Sequence, residues 1–129
     1  MRILIADDHP VVLKGVRAIL EARKDLELCG EARNGEEAIQ KSLQLNPHLI
    51  ILDITMPVLD GFSAAKKIKE LMPKIPILML SVHDGPHLAN NSQLVGAQGF
   101  VTKSQAGEIL LTAVDVLLEG GTFFQKSDY

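Results

Sequence analysis

Five polar side chains stand where short apolar runs end: Asp7 and Asp8 after Arg2–Ala6, Asp53 after Leu49–Leu52, Ser81 after Ile77–Leu80, and Lys103 shortly after Gly99–Val101. Three carboxylates, a hydroxyl and an ammonium form a set suited to phosphoryl chemistry. Crowded carboxylates repel, which raises the pKa of some of them and calls for a divalent cation. Oxygen-only donors favour Mg²⁺, which keeps several waters and bridges carboxylate to phosphate. Taken singly, an Asp at a strand end is a candidate helix cap, Ser81 a loop hydroxyl and Lys103 a solvated charge. Their coincidence at matching ends is the informative feature.

The elements that would position them follow from two alternating periodicities. Apolar runs at Arg2–Ala6, Leu26–Ala32, Leu49–Leu52, Ile77–Leu80 and Gly99–Val101 read as strands, and the third and fourth are unbroken enough for a parallel sheet covered on both faces. Helical stripes lie between them at Val12, Val16, Ile19 and Leu20, at Ala38, Ser42 and Leu45, and at Ala64, Ile68 and Leu71. A last helix over about Gln105–Glu119 carries Leu110, Ala113, Val114 and Leu117. Asn34 with Glu37 reads as an N-cap pair, Asp60-Gly61 as a turn, and Pro47 and Pro73 as stops for the second and third helices. Between Asp84 and Val95 the helix signal is weak, with Leu88 and Val95 as its anchors, and a short or mobile helix is expected. The predicted fold is α/β, a (βα)₅ chain in one domain. In such open sheets ligands bind beyond the carboxyl ends of the strands, where the five polar side chains fall.

Composition narrows the function. The 129 residues are enough for one domain with its own core, and 47% of them are hydrophobic. A net charge of −3 without a basic run argues against direct nucleic-acid binding. The single cysteine, Cys29, reads as a small hydrophobe in a strand. No stretch approaches a membrane span or a signal peptide, so a cytoplasmic location is expected.

The ordered set Asp7-Asp8, Leu52-Asp53, Met56-Pro57, Asp60-Gly61, Leu80-Ser81, Gly96-Ala97, Gly99-Phe100 and Lys103 resembles the receiver domain of bacterial two-component response regulators, over the whole chain. Ala6 through Pro10, Lys103-Ser104 and Gly120-Gly121 resemble its NarL/LuxR-type branch. The resemblance implies a flavodoxin-like, doubly wound five-stranded parallel sheet of order 2-1-3-4-5. It implies Asp53 as phosphoacceptor from a sensor histidine kinase, and Mg²⁺ held by Asp7, Asp8, Asp53 and the backbone carbonyl of Thr55. Lys103 would pair with a phosphoryl oxygen, Ser81 would reorient to bond another, and Phe100 would follow Ser81 inward.

The chain departs from the pattern where Ser104 replaces the proline that often follows the lysine in a cis peptide, which puts a cis bond there in doubt. A phosphatase of the haloacid-dehalogenase type would want a second Asp where Thr55 stands. A flavin site would be repelled by Asp7-Asp8, and a receiver-like module that is never phosphorylated would not need Asp8, Asp53 and Lys103 intact.

Of the histidines, His83 and His87 are spaced to share a metal but are separated by Pro86, and His83 reads as a solvated loop residue. His83, two positions after Ser81, is also a candidate influence on phosphoryl hydrolysis. His9 reads as capping or flanking the first helix, and His48 as a turn residue. Ile109 and Val116, with Leu111 and Leu118, widen the apolar arc of the last helix to roughly 220° at ~100° per residue, which points to a partner face and a homodimer. Residues 120–129 read as the start of a linker to a helix-turn-helix output domain, through which alone DNA would be bound; the expectation is that this chain is an excised receiver.

Overall fold

Residues Ile3–Ala6, Leu49–Asp53, Ile77–Ser81 and Gly99–Thr102 are buried without interruption, as strands sandwiched between two helical layers must be. The structure is a computed structural model, which describes residues 1–83 and 86–125. The elements are β1 (Arg2–Ala6), α1 (Pro10–Glu21), β2 (Glu27–Ala32), α2 (Gly35–Leu45), β3 (Leu49–Asp53), α3 (Gly61–Leu71), β4 (Ile77–Ser81), α4 (Pro86–Leu94), β5 (Gly99–Thr102), α5 (Ala106–Leu118) and β6 (Phe123–Phe124). All pairings are parallel, in the order β2-β1-β3-β4-β5-β6.

Strand alternation divides the core into two. Ile3, Ile5, Leu49, Ile51, Leu78, Leu80 and Val101 face α1 and α5, where Leu13, Val16, Leu20, Leu110, Ala113, Val114 and Leu117 meet them. Leu4, Ala6, Ile50, Leu52, Ile77, Met79 and Phe100 face the other layer, packing on Ala38, Ala64, Ala65 and Ile68. Helix ends are set locally. Asn34 accepts from the Glu37 N–H at 2.8 Å to start α2, and Asp60 accepts from the Ser63 N–H at 2.8 Å to start α3. Asn46, at φ 48°, closes α2 just before Pro47.

Several expectations change. The sheet gains a sixth strand: the chain turns back after α5, and the Phe123 and Gln125 N–H groups donate to Gln98 O and Phe100 O, each at 2.9 Å, along the free edge of β5. Phe123 packs on the first core and Phe124 on the second. Of the stretch 120–129, residues 123–125 therefore lie along the sheet, while 126–129 are outside the described residues. In α3 the third buried position is Ala65 rather than Leu71, which is 45% exposed; the helix ends there and Met72 turns inward instead.

Cys29 is half-buried at a register shift, since Ile3 faces Leu28 and Leu4 faces Gly30; burial pushes its thiol pKa up. Over the weak segment a nine-residue α4 forms, held by Leu88, Ala89 and Val95, with Asp84 and Gly85 outside the described residues. No peptide bond among the described residues is cis, that of Lys103-Ser104 included.

On α5, Ile109, Leu111 and Leu118 are half-buried against the first core. Val116 is half-buried too, beneath Gly121, where an added Cβ would lie 2.9 Å from its Cγ1. Much of the wide arc is thus covered from within the chain.

Candidate functional site

Parallel register brings the polar ends together. Ala6 pairs with Leu52, Asp53 with Leu80 and Ser81 with Thr102, so the residues that follow β1, β3, β4 and β5 emerge on one edge. Backbone bonds continue past the strands: Asp7 N–H donates to Ala32 O at 2.9 Å, Ile54 N–H to Leu80 O at 2.9 Å, and Lys103 N–H to Ser81 O at 2.7 Å. The β3–α3 connection folds tightly over Asp53. Gly61 N–H donates to Ile54 O at 2.7 Å, and a Cβ on Gly61 would lie 2.0 Å from Asp53 O, so no side chain fits there. Within that loop Val58 sits at φ 68°, with Leu59 N–H donating to Pro57 O at 2.7 Å. Positive φ is a strained conformation for a β-branched residue.

Asp7 is fully buried, Asp53 is 2% exposed and Ser81 4%. One donor atom from each of Asp7, Asp8, His9 and Asp53 falls within 4.8 Å of the others. The Lys103 ammonium lies 2.8 Å from Asp7 Oδ2 and 3.3 Å from Asp53 Oδ2, ion-pair distances without hydrogen-bond alignment. Asp7 Oδ2, Asp8 Oδ1 and Asp53 Oδ2 consequently have no hydrogen-bond partner although they are buried. Burial first, and the Asp7 carboxylate second, push the Asp53 pKa up to about 6, against the pull of Lys103. One ammonium against three carboxylates leaves a deficit of positive charge. Oriented carboxylate oxygens lacking partners are what a hard divalent cation takes, and the donor set fits Mg²⁺.

Other predicted residues fall around this centre. Ser81 Oγ accepts from the His83 N–H at 3.0 Å, so the hydroxyl is held by its own loop. Thr55 N–H points at Asp53 Oδ1 from 3.4 Å. Phe100 is fully buried among the residues facing α3 and α4. His83 and His87 are exposed, and among the described residues they join no group of three or more metal-ligating side chains. His48 lies away from the site, where its Nδ1 accepts from the Arg2 N–H at 2.9 Å.

His9, expected only to cap or flank the first helix, also lies at this centre. Its Nδ1 is 3.1 Å from Oδ1 of both Asp7 and Asp8, and its N–H donates to Asp7 Oδ1 at 2.9 Å. Its place directly after the acid pair was the available signal. It occupies the N-cap position of α1 but makes no side-chain cap bond.

This edge brings an acidic cluster and a lysine together at the carboxyl ends of a parallel α/β sheet, and comparison with known proteins makes the class specific. Residues 3–115 match the response regulator receiver domain family. The chain is 38% identical over 124 residues to the oxygen regulatory protein NreC of Staphylococcus epidermidis, covering 95% of this chain and 57% of that protein. It is 32% identical to the transcriptional regulatory protein MctR of Rhizobium johnstonii, covering 98% and 59%.

Among solved structures it superposes on a LuxR-family two-component response regulator from Aurantimonas with a TM-score of 0.92 at 31% identity, covering 98% of this chain and 89% of that one. The non-phosphorylated receiver domain of the stress response regulator RcsB from Escherichia coli gives 0.90 at 31% identity, covering 98% of each. The chain belongs to the response regulator receiver family, and its relatives are of the NarL/LuxR type. It spans a little over half the length of the curated relatives it matches.

Proposed function

We propose that Asp53 accepts a phosphoryl group from the phosphohistidine of a sensor kinase, with Mg²⁺ bound, and that this switches an output function. The observation that carries the reading is the buried trio Asp7, Asp53 and Lys103 beside Asp8, with carboxylate oxygens that lack partners. Mg²⁺ would be held by Asp8 and Asp53 directly, by the Thr55 carbonyl, and by Asp7 mainly through water. When bound it supplies neutralisation of charge on the transferring group.

The chain's own residues do the rest. An Asp53 oxygen forms the new O–P bond as the P–N bond to the kinase imidazole breaks, the electron pair leaving with nitrogen. Lys103, already between Asp7 and Asp53, pairs with a phosphoryl oxygen, and the Ser81 hydroxyl leaves the His83 N–H to donate to another. Phe100, on the neighbouring strand β5, is already fully buried, so the inward position implied for it when Ser81 reorients is occupied from the start.

Several further parts of the reading rest on kinship. The relatives are transcriptional regulators, and one RcsB structure holds two dimers on two parallel DNAs. By analogy this chain homodimerises when phosphorylated, with Ile109 and Val116 on the contact face. DNA would be bound through a C-terminal domain reached by way of residues 126–129. No helix among the described residues is long and apolar enough to cross a membrane.

Incubation with acetyl phosphate and Mg²⁺, followed by intact mass, tests the central claim. One added phosphoryl is expected, absent in Asp53→Asn and Asp53→Ala. Stoichiometric labelling of Asp53→Ala would refute the assignment.

A further inference from the structure

Lys103 must be held at the site, yet in this chain Ser104 follows it where many receivers place a rigid proline. What fixes the segment instead comes from the far end of the chain. Gln125 lies just past β6, and its backbone N–H donates to Phe100 O at 2.9 Å. Its side-chain Oε1 then accepts from the Thr102 N–H at 2.8 Å and from Thr102 Oγ1 at 3.1 Å. Because a backbone N–H must meet an acceptor, the amide orientation is determined. The side chain completes the ladder of β5 one step beyond the point where β6 ends.

The Thr102 hydroxyl also lies 3.3 Å from Ser104 Oγ. Both neighbours of Lys103 therefore belong to one hydrogen-bonded chain, Gln125–Thr102–Ser104. Thr102 is 3% exposed, so without Gln125 its N–H would lack an acceptor, and its hydroxyl would be left with Ser104 Oγ alone. On its other side Lys103 is held by its N–H bond to Ser81 O. Gln125 falls outside residues 3–115 that match the receiver family.

We infer that Gln125 is a positioning residue for Lys103: through Thr102 and Ser104 it holds the ammonium where the phosphoryl group on Asp53 meets it. The inference rests on the phosphoacceptor reading above, and it makes the turn after α5 part of the site's support. Misplacement of a charged group by a fraction of an ångström slows reactions that depend on positioning. Loss of one such anchor is expected to slow phosphorylation about fivefold, the rate equivalent of a single hydrogen bond.

The test is the rate of phosphorylation by acetyl phosphate, followed by intact mass across a Mg²⁺ titration, on the whole 129-residue chain. Gln125→Ala and the shortened Gln125→Asn should both slow the reaction at saturating Mg²⁺, where competition between Lys103 and the cation for Asp7 and Asp53 no longer limits it. Gln125→Glu, which keeps the acceptor, should restore the rate. In a Lys103→Ala background, Gln125→Ala should cost nothing further.

A Gln125→Ala rate equal to wild type would overturn the inference while leaving the phosphoacceptor reading intact. So would the same proportional loss in the Lys103→Ala background, because it would mean general loosening. A wild-type chain that takes no phosphoryl at all would instead overturn the phosphoacceptor reading, and this inference with it.

Discussion

Replacing Asp53 by Asn should stabilise the metal-free protein, although it destroys the proposed function. Asp53 is 2% exposed, faces the Asp7 carboxylate, and has its pKa pushed up from 3.8 to about 6 by burial and by that neighbour. In the unfolded chain the carboxyl reverts to its ordinary value. Above pH 6 both states are ionised and only the native one carries the penalty. As pH falls from 6 towards 4 the native state takes up its proton first, so the stability deficit disappears. The gap between 3.8 and about 6 corresponds to about 3 kcal/mol. The attraction of Lys103 is already contained in that value, while a buried Asn amide has a desolvation cost of its own, so a net gain of about 2 kcal/mol is expected at neutral pH. For a chain of this length that is a rise in melting temperature of about 6–10 °C.

The assay is thermal unfolding in EDTA at pH 7.5 and 4.5, followed by far-ultraviolet circular dichroism. The advantage of Asp53→Asn should be large at the higher pH and small at the lower. Excess Mg²⁺ should narrow it, because the wild type gains binding energy at a site the variant has weakened. An Asp53→Asn protein no more stable than wild type in EDTA at pH 7.5 would refute the account of the site as crowded and in need of positive charge.

Three other outcomes are expected. Asp8→Ala should abolish Mg²⁺-dependent labelling by acetyl phosphate with little loss of stability, and labelling at the wild-type rate would displace Asp8 from the metal set. Gly61→Ala should lower stability by more than about 2 kcal/mol, measured by urea unfolding, because its Cβ would collide with backbone that has nowhere to move. Sedimentation of the wild type should show self-association that beryllofluoride strengthens and Ile109→Glu/Val116→Glu weakens. A strictly monomeric wild type under both conditions at high micromolar concentration would rule out the homodimer for this chain.

The site was legible in the sequence because a parallel sheet leaves few choices. Once Leu49–Leu52 and Ile77–Leu80 are recognised as strands buried on both faces, Asp53 and Ser81 must lie at the same edge, and β1 and β5 bring Asp7, Asp8 and Lys103 to it. Helix starts were legible where a cap is a single local bond, as at Asn34. Details that depend on where a helix stops were not. One residue more or less in α3 decides whether Leu71 or Met72 turns inward, and the apolar pattern contains both. The positive φ at Val58 had no local signal, since the neighbouring Gly61, packed against Asp53 O, is what constrains the loop.

The end of the chain shows a different limit. Gly120-Gly121-Thr122 carries the composition of a linker, and two phenylalanines are too few to display a strand's alternation. What makes Phe123–Phe124 a strand is the unpaired edge of β5 together with one core on each side of the sheet, neither of which is local. The same return explains α5. Angular counting correctly finds more apolar surface on that helix than a sheet face can cover, but Gly121 passing over Val116 and the packing of Ile109 against the first core supply the remaining cover. A partner at this face would therefore meet half-buried side chains at a seam between α5 and the returning chain. That seam leads through Gln125 to Thr102, beside Lys103, so association there and the state of Asp53 would act on one connected piece of structure.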